Sequence, residues 1–367
     1  MGDRIGPRRT IARIVLWWSV FTVLTGYART FWHLVATRFL FGAGAAGAYP
    51  NASIAIARWF PACERARAQG YLWMASRVGG TISPFLVIPI QQVYGWRAVF
   101  IIFGLIGLLW IPIWYRWFRD DPADMKGITT GELKEIRLGG AAQRAHESMP
   151  WRQALRSRNL WWLMAMYYTY CWGAFFYLAW MHTFLEKGLD YSKADLIAYS
   201  WLPFVFGAIA NLIGGYASDF MVTRVGLKRG RRAIGVTGLA LSACFIAGAF
   251  MSQDKFVCVL FLSLGYASSD FMVPSAWAVC LDIGGKFSGT VSGAMNTAGQ
   301  VGSFCTVVAF GYLVEAFQSY NAPLIPIAIM TALSALIWFK IDPTIPLVPA
   351  APASGRRVFQ SMTPAEG

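Results

Sequence analysis

Apolar residues run along this chain in long stretches, separated by shorter polar and mostly basic segments. A membrane-crossing helix needs about 20 predominantly apolar residues at roughly 1.5 Å of rise each. Ten stretches meet that length, at 12–28, 31–57, 68–93, 98–118, 159–185, 195–218, 233–252, 256–281, 289–316 and 322–341. Several exceed the minimum, which predicts tilt or extension beyond the hydrocarbon. The pattern predicts an all-α integral membrane protein of about ten transmembrane helices.

The longest polar stretch divides these spans into four and six. The expected organisation is an N-terminal helical bundle over 1–118, a cytoplasmic linker over 119–157, a six-helix bundle over 158–342 and a disordered cytoplasmic tail over 343–367. The linker carries mixed charge, with Asp120, Asp121 and Asp124 among its basic residues, and reads as a tether.

Composition agrees: 56% of residues are hydrophobic and 14% charged, against about 45–50% and ~25% in soluble domains. The net charge of +14 does not imply a nucleic-acid partner, because the basic residues lie in short runs between apolar stretches. Most of the 32 lysines and arginines fall on one side if the N-terminus is cytoplasmic. Only Arg29, Arg97, Lys187, Lys193 and Lys255 fall outside, and Arg38 and Arg77 lie within spans. This bias predicts a multi-pass protein of the inner (plasma) membrane with both termini cytoplasmic. No cleavable signal peptide is visible. The scattered cysteines show no metal or disulfide spacing, so no metal or cofactor is expected. No phosphate-binding loop, zinc-binding H-E-x-x-H or nucleophile elbow occurs, which argues against an enzyme.

Two internal repeats emerge. Placing Gly70 on Gly293 also places Val78 on Val301, Gly79 on Gly302 and Arg77 on Gln300, and a one-residue change of offset puts Pro50 on Pro274 and Asn51 on Ser275. Glycines at such positions permit close helix approach. The opening Gly2-Asp3-Arg4-Ile5-Gly6-Pro7-Arg8-Arg9 is echoed by Gly215, Asp219, Arg224, Gly226, Lys228 and Arg229. Each copy sets an aspartate and a basic cluster beside a turn glycine, where the aspartate can cap or pair at a helix end.

These residues resemble the major facilitator superfamily, whose twelve-helix, two-bundle fold carries this loop motif between helices 2 and 3 and between helices 8 and 9. Within it the chain is similar to the anion:cation symporter group, which includes hexuronate, galactonate, glucarate and phthalate permeases. The supporting residues are Arg38 to Gly42, Ala46, Pro50, Trp59 to Pro61, Glu64-Arg65 and Gly70, then Trp180, Leu185 and Gly188, then Gly289 to Gly302 with Ser292-Gly293, Asn296 and Gly299. The resemblance implies secondary transport of a small organic anion, a sugar acid or aromatic carboxylate, by alternating access with protons or another cation as partner. Two departures stand out. The ten spans correspond to helices 3–12, without helices 1 and 2, and Ala45 stands where the family has a glutamate linked to protons. They leave as alternatives an uncoupled facilitator or exporter, or an inactive or partner-binding membrane fragment.

The candidate site residues follow from both readings. Arg38, an ionised side chain within a span, costs about 2.5–3.5 kcal/mol on insertion scales and cannot shed its charge. A substrate carboxylate is its favoured partner, and a structural ion pair or carbonyl contact the other reading. Asp270 is the candidate proton-coupling acid in place of the missing glutamate, or else an acid paired with Arg38 or Arg77 that never titrates. Arg77 lines the cavity or is structural. The resemblance places Ser275, Trp277 and Asn296 around substrate, together with Tyr167 and Tyr170 of the fifth span. It also implies that Asp3, Arg4, Asp219 and Arg224 latch the cytoplasmic ends of the two bundles.

Overall fold

The computed structural model describes residues 2–138 and 149–348, and within them every regular element is helical. In chain order these are α1 (Gly2–Ile5), α2 (Pro7–Gly26), α3 (Phe31–Ala45), α4 (Ala48–Trp59), α5 (Arg65–Trp117), α6 (Thr130–Leu138) and α7 (Trp151–Ala154). There follow α8 (Arg158–Ala179), α9 (Met181–Thr183), α10 (Lys193–Tyr199), α11 (Leu202–Val225), α12 (Leu227–Met251), α13 (Lys255–Gly284), α14 (Ser288–Phe317) and α15 (Leu324–Ile337).

The ten apolar stretches reappear in order, with differences that have local causes. The stretch expected over 31–57 is two helices, α3 and α4, which meet at Gly47. Two expected spans join in α5, where Gly95 leaves the helical region at a φ of 78° that glycine adopts without strain. The second half of α5 then runs back along α2, so that Gly26 lies against Arg97 and Gly104 against Val23. Among the described residues, four continuous stretches could cross a membrane by length and composition: Ala62–Trp117, Leu202–Val225, Leu227–Met251 and Lys255–Phe317. The first and last each hold two passes, turning at Gly95 and at Gly285. α8 falls short on composition because tryptophans and tyrosines replace aliphatic side chains along it.

α13 sits at the centre, buried along most of its length against α11, α12, α8 and α14. Glycines set how close its neighbours come. A Cβ on Gly70 would stand 2.8 Å from the Asn211 carbonyl oxygen, which brings α5 onto α11. Its repeat partner Gly293 faces open space, and in the pair Gly79 and Gly302 only Gly302 abuts another helix, at Tyr168. The repeat therefore preserves positions but not contacts. α3 has no buried residue, and Trp32, Phe39, Phe85 and Leu109 are exposed, which leaves a broad apolar face on the first four passes.

Within the linker expected over 119–157, 139–148, including Arg144, lies outside the described residues. The tail expected from 343 begins packed, because Leu347 is buried and its N–H donates to the Ile283 carbonyl at 2.9 Å. Its remainder, 349–367, with Arg356 and Arg357, lies outside the described residues.

Candidate functional site

Six helices, α3, α4, α5, α8, α11 and α14, contribute to the lining of a central cavity of about 480 Å³. Trp73, Ser76, Arg77 and Gly80 come from α5, and Tyr167, Tyr170, Cys171 and Ala174 from α8. Both sets repeat at three- and four-residue spacing, which is one stripe of a helix. Asn296 and Gln300 of α14 face them one turn apart, and Gly42, Ala45, Ala46 and Tyr49 close the side formed by α3 and α4. The cavity thus gathers Arg77, Tyr167, Tyr170 and Asn296 from the candidates named above.

An aromatic floor closes the cavity toward the ends of these helices that carry the basic loops. Tyr49 and Trp73 stack with ring centroids 4.4 Å apart, and Trp73 lies 5.5 Å from Trp277. Trp277 is fully buried and donates from Nε1 to the Tyr167 hydroxyl at 3.0 Å, so it holds a lining residue without itself lining the cavity. Ser275 is also fully buried, but between α11 and α12. It accepts a hydrogen bond from Ser218 at 3.2 Å and donates to the Arg231 carbonyl at 3.3 Å.

Arg77 meets Asp270 two-pronged, Nε donating to Oδ2 at 2.6 Å and Nη2 to Oδ1 at 2.9 Å. Asp270 has no exposed surface, and it also accepts from Asn211 Nδ2 at 2.9 Å and the Tyr170 hydroxyl at 3.4 Å. The acid reaches this place because α11 has glycine opposite, where a Cβ on Gly207 would stand 2.6 Å from Oδ2. The rings of Tyr266 and Trp73 lie 5.1 and 5.6 Å from the guanidinium carbon. Removing one partner of such a buried pair costs about 3–5 kcal/mol.

Arg38 shares a helical face with Gly42, Ala45 and Ala46 but sits one turn beyond them, outside the cavity lining. Its Nη2 donates to the Thr25 hydroxyl and to the Phe21 carbonyl at 3.4 Å, and its guanidinium lies 4.5 Å from the Phe41 ring. Among the described residues no acid pairs with it, and its Nε is buried without a hydrogen-bond partner.

At the basic end, two aspartates do matching work on opposite helices. Asp3 accepts from the Gly289 and Thr290 N–H groups at 3.0 and 2.9 Å and from the Thr290 hydroxyl at 2.7 Å, capping the start of α14. Asp219 accepts from the Ala66 and Arg67 N–H groups at 3.3 and 2.7 Å, capping the start of α5. Negative charge is favourable at a helix N-terminus, where unpaired N–H groups converge. Arg4 is exposed, and Arg224 lies over the Phe220 ring at 5.2 Å. Arg231 joins the Asp219 cap. It is fully buried and bonds Asp219 at 3.0 Å and Asp282 at 3.2 Å, while Asp282 also takes Arg65 at 3.2 Å. The sequence signal for this cluster was the acid at the basic end of the eighth span, Asp282, which faces a turn rich in arginine.

The comparisons with known proteins agree with this architecture. Residues 1–307 match the Major Facilitator Superfamily. The chain is 34% identical over 348 residues to a probable sulfoacetate transporter of Cupriavidus necator, covering 94% of this chain and 80% of that one. It is 27% identical over 343 residues to a probable L-galactonate transporter of Escherichia coli K12, covering 92% and 75%. The solved proton:xylose symporter XylE superposes with a TM-score of 0.69 at 17% identity, covering 92% of this chain and 81% of that one. The chain therefore belongs to the major facilitator superfamily, as an all-helical, multi-pass membrane transporter and not an enzyme.

Proposed function

We propose that the protein carries a small organic anion, a sugar acid or a related carboxylate or sulfonate, by proton-coupled symport with alternating access. The supporting observation is Arg77, a permanently charged guanidinium on the wall of a helix-lined cavity closed by an aromatic floor. The relatives that the names describe as sulfoacetate and L-galactonate transporters support the anionic cargo. On this reading Asn296, Tyr167 and Tyr170 contact the cargo, Arg38 receives it one turn further out, and Trp277 supports Tyr167. Ser275 contributes through packing, and Asp270 is the proton-carrying acid.

The moving units are the helices over 1–118 and 158–342, joined by 119–157. In the inner membrane with both ends cytoplasmic, the Asp3 and Asp219 caps hold the cytoplasmic side shut, and Arg4 and Arg224 anchor that side at the headgroups. One observation favours an uncoupled facilitator: Ala45, on the cavity wall, brings no titratable group. Uptake of labelled L-galactonate and sulfoacetate into proteoliposomes, with and without an inward proton gradient, tests the proposal. Accumulation above equilibrium that collapses with the gradient is expected. Equilibration unaffected by the gradient would replace symport by facilitation, and no saturable uptake of either acid would refute anion transport.

A further inference from the structure

The geometry points to residues 341–348 as a strap that sets how readily the cytoplasmic side opens: docked under the C-terminal bundle, it holds the α13–α14 turn where that turn meets the N-terminal bundle. The inference goes beyond the choice of cargo, and it rests on the reading that the Asp3 and Asp219 caps keep the cytoplasmic side shut.

The chain turns back on itself after α15. Pro343 and Pro346 bring no N–H with which to continue a helix, and an aspartate followed by proline is a turn-opening pair. The Asp342 carboxylate accepts from the Thr344 N–H at 3.1 Å and the Thr344 hydroxyl at 2.6 Å, which closes the turn. The Asp342 backbone is gripped by one side chain, Asn159 of α8, which donates to its carbonyl at 2.7 Å and accepts from its N–H at 2.9 Å. Arg232 of α12 donates from Nε to the Ile341 carbonyl at 2.7 Å, and Lys228 pairs with the Asp342 carboxylate. The start of the strap is thereby tied to α8 and α12.

Its far end reaches α13. The Leu347 N–H donates to the Ile283 carbonyl at 2.9 Å, in the last turn of that helix, where carbonyls have no intrahelical partner. The Leu347 side chain is buried in the same apolar cluster as Ile283 and Phe287, whereas Ile345, two residues earlier, is exposed. Leu347 therefore has a specific seat.

That seat lies under the short turn from Gly285 to Phe287. On its α13 side Asp282, next to Ile283, takes Arg65 of α5 at 3.2 Å, and on its α14 side Gly289 and Thr290 are held by Asp3. Both of these ties cross between the bundles, while the hydrogen bonds of the strap stay within the C-terminal bundle. Leu347 thus acts on the interface through the turn, as a positioning residue.

The test reads accessibility on both sides in a cysteine-free background. Leu347→Asp unseats the strap, and Ile54→Cys, buried against Gly289 of α14, should then react about tenfold faster with a membrane-impermeant maleimide at the cytoplasmic side, the factor that burial of part of one leucine supplies. Gln300→Cys, on the cavity wall, should react more slowly from the opposite side, because the population shifts from one opening to the other. Faster reaction at both reporters would mean a general loosening and would overturn the inference. So would an unchanged rate at Ile54→Cys in Leu347→Asp when Asp3→Ala raises that rate. With Asp3→Ala and Arg65→Ala both present, Leu347→Asp should add nothing, and a further gain of about tenfold would also overturn it. An Ile54→Cys rate that Asp3→Ala leaves unchanged would instead overturn the reading of the caps, and the strap with it. Leu347→Ala carries the same expectations should Leu347→Asp fail to give monodisperse protein.

Discussion

The cap that Asp3 provides to α14 is the contact whose removal should most directly change which side of the transporter is open. Asp3→Ala deletes two backbone hydrogen bonds and one to the Thr290 hydroxyl, at 3.0, 2.9 and 2.7 Å. Loss of an N-cap side chain costs about 0.5–2 kcal/mol, and the charge at the helix end adds about 0.3–1 kcal/mol. Freed N–H groups can rehydrate when the ends part, so a net loss of about 2 kcal/mol is expected, roughly a 30-fold rise in the open population. The Arg58 contact to the Asp3 carbonyl, at 3.3 Å, involves the backbone and survives the substitution, so the fold should be retained. Ile54 of α4 is buried against Gly2 of α1 and Gly289 of α14, which makes Ile54→Cys in a cysteine-free background a reporter of opening. A membrane-impermeant maleimide should label it about 30 times faster with Asp3→Ala than without it, by the same energy difference. Asp195→Ala, which removes the capping partner of Ser192 in α10, should leave the rate unchanged. An unchanged labelling rate in Asp3→Ala would refute the reasoning that this cap holds the end shut.

Arg77→Gln should lower thermal stability by about 3–5 kcal/mol, and combining it with Asp270→Asn should recover part of that loss, read as a non-additive shift in a double-mutant cycle. Gly207→Val drives a side chain into Asp270 and should cost about 1–3 kcal/mol by overpacking, read as a lower midpoint of thermal unfolding. Trp277→Ala removes a fully buried ring beneath the cavity and should cost about 3–5 kcal/mol while admitting proton leak in proteoliposomes without cargo. Arg38→Ala, at a half-exposed site whose guanidinium donates to the Thr25 hydroxyl, should change stability by less than about 1 kcal/mol yet raise the KM for L-galactonate, and normal transport would remove Arg38 from the anion path.

The sequence by itself determined the class of protein, the ten apolar passes and the family. Hydrophobic length is a local quantity and leaves a helix as the only open-ended way to satisfy the backbone in lipid. The motif around Asp3 and its echo around Asp219 also identified two residues that tie helices together, because both copies are short and contiguous. Partners were another matter. Arg77 and Asp270 are 193 residues apart, and the spacing of either helix says which face a side chain occupies without saying what stands opposite. Ser275 and Trp277 look equivalent on the chain, yet one packs between α11 and α12 and the other supports the cavity floor. Arg38 shares a stripe with cavity residues, but its guanidinium reaches back to Thr25. Only the tertiary structure decided these pairings, because the rotation of each helix about its own axis is fixed where glycines such as Gly70 and Gly207 let neighbours close in, and by which buried charges can then meet.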